Sequence, residues 1–190
     1  TWTGNSTNDR AITLDMAPDL VVIKERGSAN NWYWTDSSRG AAIKLFSNLS
    51  QAEATDTTEL QSFTSTGFTI GTGGGSNNNN DTYCGWGWKA NGGTTTSFSA
   101  GGNQLAGTYQ ANTKSKFSII TYTGSGSANS EVLHGLGATP NFIIFKARND
   151  THWWGVYHKS SGTVNTGYDS LLYLNSDNAL ASGQNVNIVP

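Results

Sequence analysis

The sequence predicts an all-β protein, an antiparallel β-sandwich of the jelly-roll kind with an internal duplication. Short apolar segments alternate with stretches rich in glycine, asparagine and serine, and the chain has 23 glycines but only 3 prolines. Several segments alternate with period two, as strands do. Two parts of the chain also share one order of landmarks. Many short strands separated by turn residues favour a sandwich over a helical fold.

The duplication is visible in the landmarks that follow two similar openings, TWTG at residues 1–4 and TYTG at residues 121–124. The first opening leads to APDLVVIKER and the second to TPNFIIFKAR. Proline, lysine and arginine stand at identical internal distances, as Pro18, Lys24 and Arg26 and as Pro140, Lys146 and Arg148. Paired aromatic residues and a short apolar segment, KLFSN or LLYLN, follow in each copy. A repeat of about 120 residues predicts duplicated domains or half-domains.

The predicted elements follow from local pattern. DLVVIKER and its counterpart NFIIFKAR are short, β-branched and aromatic, so we expect buried or half-buried strands. SQAEATDTTELQSF (residues 50–63) is the best helical candidate, but its Thr and Ser residues favour a loop or one short helical turn. TYCGWGWKA (residues 82–90) sets Cys84, Trp86 and Trp88 on one strand face, opposite Tyr83 and two glycines. KFSIITYTG (residues 116–124) also alternates as a strand does.

The two copies predict the domain organisation. We expect a first sandwich over residues 1–115 and a second over residues 116–190 that lacks its C-terminal strands, since no counterpart of SFTSTGFTIG follows. The chain is therefore expected to be part of a longer polypeptide. Strands without a closing partner pair readily with other strands. Completion would come from GFTIG and YCGWGWKA, in one composite sandwich over residues 1–190, or from a neighbouring subunit of a homo-oligomer.

Composition limits the classes of partner. Only 13% of residues are charged and the net charge is -2, which is unlike the basic surface of a nucleic-acid binder. No apolar run approaches the length that a membrane-spanning helix needs, so we expect no membrane insertion. The single cysteine, Cys84, cannot form an internal disulfide, and we interpret it as a small buried apolar residue.

A family resemblance rests on the whole succession of segments. PDLVVIKER, DSSRGA, LFSN, SFTSTGFTIG and NDTYCGWGWKA, followed by FSIITYTGSG, HGLGATPNFIIFKAR and VYH, resemble the repeats of tail and other virion proteins of tailed bacteriophages, notably marine ones. Such repeats are similar to SPRY and concanavalin-like β-sandwich domains. The resemblance covers nearly the whole chain. It implies a structural or adhesion module in an extracellular virion, with other virion subunits as partners and oligomerisation as in phage fibres.

Two aromatic stretches are candidate glycan sites. WYWTDSSRG places Trp32, Trp34 and Asp36 on one face of an extended segment, with Arg39 just beyond. Aromatic rings stack on the apolar faces of sugars, and charged groups bind their hydroxyls. An Asp and an Arg three residues apart also commonly bond each other or the backbone of a turn, which is the structural alternative. The second stretch, HWWGVYH, contributes the candidates Trp153, Trp154 and His158, with one Trp expected to face the core.

Metal and cofactor sites are not expected. Two histidines in HWWGVYH lack a third ligand, which argues against zinc. The loop GTGGGSNNNNDTY (residues 71–83) precedes a strand and lacks a Lys-Ser or Lys-Thr pair, so it does not predict phosphate binding. Its oxygen ligands leave calcium as an alternative, although Asp81 is the only carboxylate. A mobile loop, or one packed against a partner, is the simpler interpretation.

Enzymatic function is not expected either. Glycoside hydrolysis needs two carboxylates about 5 to 10 Å apart across a cleft, and no closely spaced acidic pair of that type occurs in the sequence. There is no Gly-x-Ser-x-Gly motif, and Cys84 has no evident His partner. Two hypotheses are therefore preferred over a glycoside hydrolase: a virion structural module of a tail, fibre or capsid decoration, and a lectin-like module for host attachment that recognises surface glycans.

Overall fold

The computed structural model describes residues 1–160 and 171–178, and these residues form only strands and loops. Every strand pair is antiparallel, which confirms the predicted all-β, sandwich-like class. The strands are β1 (Trp2–Thr3), β2 (Arg10–Thr13), β3 (Leu20–Glu25), β4 (Trp32–Asp36), β5 (Ile43–Phe46), β6 (Ala54–Thr55), β7 (Leu60–Thr64), β8 (Gly67–Ile70), β9 (Thr82–Trp88), β10 (Thr96–Phe98), β11 (Gly107–Asn112), β12 (Phe117–Tyr122), β13 (Phe142–Phe145), β14 (Gly155–His158) and β15 (Leu172–Tyr173).

The main core lies between two sheets. A six-stranded sheet has the order β1-β9-β3-β4-β5-β6, and a three-stranded sheet has the order β2-β8-β7. Because side chains alternate along β3 and β9, every second one points toward the smaller sheet. There it packs against apolar side chains of that sheet. The buried cluster consists of Val21, Ile23, Leu60, Phe68, Ile70 and Tyr83. We name the opposite surface of the six-stranded sheet its outer face.

The strand β9 shows the predicted alternation. Tyr83 is fully buried, whereas Trp86 and Trp88 are exposed on the outer face. A Cβ atom at Gly87 would lie 2.8 Å from Leu14 Cδ1, so the inner side of β9 has no room for a larger residue there. Cys84 is half-buried rather than buried, and its Sγ contacts the carbonyl oxygen of Lys24.

Two smaller sheets complete the described chain, with the orders β10-β11-β12 and β13-β14-β15. The first is held to the six-stranded sheet by a buried polar cluster around Asp19, whose carboxylate accepts hydrogen bonds from the backbone N–H groups of Ala90, Gly92 and Gly93. Gln110 of β11 is also buried and donates to the hydroxyl of Ser37. Burial makes these polar contacts necessary, because an unpaired group there would be costly.

Two loop expectations need correction. Residues 50–63, expected to form a loop or one helical turn, contain β6 and the start of β7 instead, because Leu60 is buried in the core and Thr suits strands. The glycine-rich loop of residues 71–83 is packed within the chain. The Asn77 side chain is fully buried and donates to the carbonyl oxygens of Thr7 and Gly71.

The strands expected to complete residues 116–190 are paired elsewhere. The GFTIG strand, β8, lies between β2 and β7, and β9 lies between β1 and β3. Neither strand is beside β13, so the described residues do not show completion by these two strands. Nothing in the described part of the chain forms a helix of the length and apolarity that crossing a bilayer requires.

Candidate functional site

The outer face of the six-stranded sheet carries an exposed aromatic pair, Trp32 and Trp86. Trp32 lies opposite Lys24 of β3, and Trp86 lies opposite Val22 of the same strand. Lys24 and Val22 are two residues apart, so their side chains and those of their cross-strand partners share one face of the sheet. Their rings lie 5.5 Å apart and nearly parallel above β3. Trp32 is 37% exposed and Trp86 is 42% exposed, while Val22 beneath them is buried. The pair therefore covers Val22 of the sheet and also presents an apolar surface to a ligand.

Trp34 and Trp154, two further candidates, meet in a packed contact. Their ring centroids are 5.3 Å apart, and Trp154 is 3% exposed. The indole N–H of Trp154 donates to the carbonyl oxygens of Phe46 and Leu49, at 2.8 and 3.2 Å. Trp154 thus fastens the β13-β14-β15 sheet to the outer face of the six-stranded sheet. Its ring belongs to the interior.

Asp36 and Arg39 form the ion pair that the structural alternative predicts. Arg39 Nε lies 2.6 Å from Asp36 Oδ2, and both side chains are buried. Glu53 continues the network, because it pairs with Arg39 at 3.5 Å and with Arg148 at 2.9 Å. Burial raises the pKa of Glu53, but hydrogen bonds and charge from Arg148 and Arg39 outweigh it and hold that pKa below its ordinary value. The network joins β4 to the segment after β13.

His158 is the last residue of β14, and Trp153 lies two residues before that strand. Trp153 is 53% exposed and packs against Tyr173, with ring centroids 4.9 Å apart. His158 makes an edge contact with Phe142 of β13, which is 55% exposed. The expectation that one of the two adjacent tryptophans faces the core and the other is exposed is confirmed.

The candidate residues therefore form separate groups rather than one site. Trp34 meets Trp154, Asp36 meets Arg39, and Trp32 meets Trp86. Sequence reasoning missed Trp86 and Phe142 as surface residues. The alternation in TYCGWGWKA identified the face on which Trp86 lies, but only the sheet order shows that this face is partly open. The pattern of NFIIFKAR predicts a buried or half-buried strand and does not indicate that Phe142 is 55% exposed.

The calcium alternative finds no assembled ligand set. The Asp81 carboxylate accepts a hydrogen bond from the side chain of Asn78 at 2.6 Å. No group of three His, Cys, Asp or Glu side chains that could hold a metal ion occurs among residues 1–160 and 171–178. The hydroxyl of Tyr83 and the carboxylate of Glu59 instead make hydrogen bonds to backbone groups of the loop. These oxygen atoms therefore hold the loop in its conformation.

Fold and surface define the class of protein: an all-β, sandwich-like module in which Asp36 and Arg39 form a buried ion pair and Trp32 and Trp153 are partly open to solvent. Residues 1–189 match the family described as a domain of unknown function, DUF7483. The chain belongs to this family. Comparison with curated proteins and with solved structures gave no match.

Proposed function

We propose that the chain is a non-enzymatic structural module of a tailed-phage virion that acts through contacts with other virion subunits. The virion context rests on the sequence resemblance. The mode of action rests on one structural observation, the concentration of large exposed apolar side chains in and beside the β13-β14-β15 sheet. These side chains are Phe142, Trp153, Leu172 and Leu174.

The register places part of this set on one side of the sheet. Phe142 pairs with His158, and Leu172 pairs with Val156, two residues earlier on the same strand. Side chains two apart in a strand share a face, so Phe142 and Leu172 lie on the same side of the sheet. Exposed apolar residues that cluster in one region of a protein mark interaction surfaces, whereas singly scattered ones do not. The buried neighbour Trp154 keeps the sheet docked, and the exposed residues remain for a partner.

Oligomeric state tests this proposal. Size-exclusion chromatography with light scattering, run over a range of protein concentrations, should show a concentration-dependent oligomer. The double variant Phe142→Ser, Leu172→Ser should shift the distribution to monomer. A matched double variant at exposed apolar positions elsewhere, Tyr122→Ser with Leu133→Ser, should assemble as the parent does. A parent protein that is monomeric at every concentration contradicts assembly between copies.

Glycan recognition is a second candidate, supported by the Trp32–Trp86 pair. Two large rings at a solvent-facing position can stack on the apolar faces of a sugar, and the surrounding outer face can accommodate an extended ligand. The Asp36 and Arg39 side chains would not contribute, because they are buried in their ion pair. On a glycan array, Trp86→Ala should abolish any binding while Trp153→Ala keeps it. Equal loss in both variants, or binding that survives Trp86→Ala, contradicts this candidate.

A further inference from the structure

The β13-β14-β15 sheet repeats the strand pairing of β3, β4 and β5. The same number of residues separates the partners of the first hairpin in both places, and the third strand joins the second at the same position. The matching pairs are Leu20 with Asp36 and Phe142 with His158, then Trp34 with Leu45 and Val156 with Leu172. The strand pairing alone shows that the two hairpins have the same register.

Local hydrogen bonds outside the ladders repeat as well. A lysine near the end of the first strand donates to the carbonyl oxygens one and four residues further on: Lys24 to Glu25 and Ser28, and Lys146 to Ala147 and Asp150. An asparagine side chain after the third strand accepts from the backbone N–H of a tryptophan: Asn48 from Trp32 at 3.0 Å, and Asn175 from Trp154 at 2.9 Å. Strand pairing does not require these contacts, so they indicate two copies of one unit.

The copies differ at the edge of the first strand that faces away from the second strand. In the first copy, β9 lies along the other edge of β3, from Leu20 opposite Trp88 to Glu25 opposite Tyr83. In the second copy, no strand of residues 1–160 and 171–178 lies along the other edge of β13. The backbone at the start of β13 shows which groups this leaves open. Asn141 accepts from Lys159 N, toward β14, so Phe142 and Ile144 direct their N–H and C=O groups to the outer edge.

We propose that the outer edge of β13 accepts an antiparallel strand of the β9 type, an extended segment that alternates aromatic residues with glycine and belongs to a different protein. The inference rests on the proposed assembly function and names its partner. The first copy shows the occupant: β9 covers the corresponding edge, with Trp88 beside Leu20. Phe142, the counterpart of Leu20, is 55% exposed. A ring in the Trp88 position would cover it, and the open N–H and C=O groups of Phe142 and Ile144 would be paired.

A synthetic peptide with the sequence of residues 81–90, DTYCGWGWKA, is the probe. The backbone N–H and C=O groups of the even-numbered residues of β9 point toward β3, as the hydrogen bond from Arg26 N to Thr82 O shows. Those of the odd-numbered residues point toward β1, as the hydrogen bond from Gly4 N to Asp81 O shows. N-methylation at position 86 therefore removes a donor that faces the acceptor strand, and N-methylation at position 87 removes one that faces away. By fluorescence anisotropy, the first change should weaken binding about tenfold and the second less than about twofold. No binding, or equal weakening by the two changes, overturns the proposal.

Disulfide capture tests the location and register. In the first copy Lys24 lies opposite Cys84, so Lys146 should lie opposite Cys84 of the bound peptide, within the Cα separation that a disulfide allows. In a Cys84→Ala protein, Lys146→Cys should form a mixed disulfide with the peptide, and Phe142→Cys, on the same edge, should not. Capture by Phe142→Cys alone overturns the register. A disulfide between two protein copies without peptide capture identifies a second copy as occupant and also overturns the proposal.

The two proposals can fail separately. An oligomer whose subunits do not bind the peptide leaves assembly standing and removes strand addition. Peptide binding by a protein that is monomeric at every concentration leaves the acceptor edge standing and removes assembly between copies. Because both experiments use the whole chain, neither depends on folding of an isolated part.

Discussion

The β3-β4-β5 and β13-β14-β15 regions pair their strands in the same register but have different surroundings. The first lies inside a six-stranded sheet, with a second sheet packed on its inner face. The second is a separate three-stranded sheet. Asp36 in the first is buried in an ion pair, whereas His158, at the corresponding register position, is exposed. The hairpin sequence therefore sets the pairing, and the neighbouring elements decide which of its side chains are interior.

The largest expected effect comes from breaking the contact between the two regions. Trp154→Ala removes a buried ring and two hydrogen bonds, to the last residue of β5 and to the loop after it, so it should lower the free energy of unfolding by about 3 to 5 kcal/mol. The matched control is Trp153→Ala, whose ring is mostly exposed, with an expected loss of less than about 1 kcal/mol. Urea denaturation measures both. Equal losses would show that Trp154 does not hold the regions together.

A second comparison concerns Asp19 and Asn141, which precede β3 and β13. Asp19→Ala leaves the N–H groups of Ala90, Gly92 and Gly93 without their acceptor, and should cost about 2 to 3 kcal/mol. Asn141 is exposed, so Asn141→Ala should change stability by less than about 0.5 kcal/mol. Thermal unfolding of the two variants gives the comparison. A stable Asp19→Ala protein would mean that the loop after β9 does not depend on this carboxylate.

The smallest expected effect is the pH dependence of the Glu53–Arg148 contact. The folded pKa of Glu53 lies below its ordinary value of 4.5, so its stabilisation is complete above that value. It is lost as the pH falls through the folded pKa. Unfolding measured between pH 7 and pH 3 should therefore show a smaller acid loss in Glu53→Gln than in the parent. An identical pH profile in both proteins would show that the contact contributes nothing measurable.

Much of the fold could be predicted from local pattern. The strands β3, β9, β12 and β13 have β-branched or alternating sequences, and each is a strand in the structure. Residues 50–63 could not be placed, because their polar pattern fits a loop and only contact with the core makes Leu60 part of a strand. The phage relationship, the absence of enzymatic activity and the partners stay predictions.

The candidate site was less predictable for a physical reason. Whether Asp36 and Arg39 are open to a ligand depends on Glu53 and Arg148, which are far apart in sequence and meet only in the folded chain. The same applies to the tryptophans: Trp34 and Trp154 are covered by each other, and Trp32 is left with Trp86. Period two identifies the face of a strand. It does not identify what packs on that face.

Residue-resolved hydrogen exchange on β3 and β13 tests the central claim most directly. The amides of Val21, Val22 and Ile23 should all exchange slowly, because β3 is paired on both edges. In β13, Ile143 and Phe145 should be slow, whereas Phe142 and Ile144 should be fast and become slow when the DTYCGWGWKA peptide is added. Phe142 and Ile144 amides that are as slow as those of Ile143 and Phe145 without the peptide would contradict an open acceptor edge.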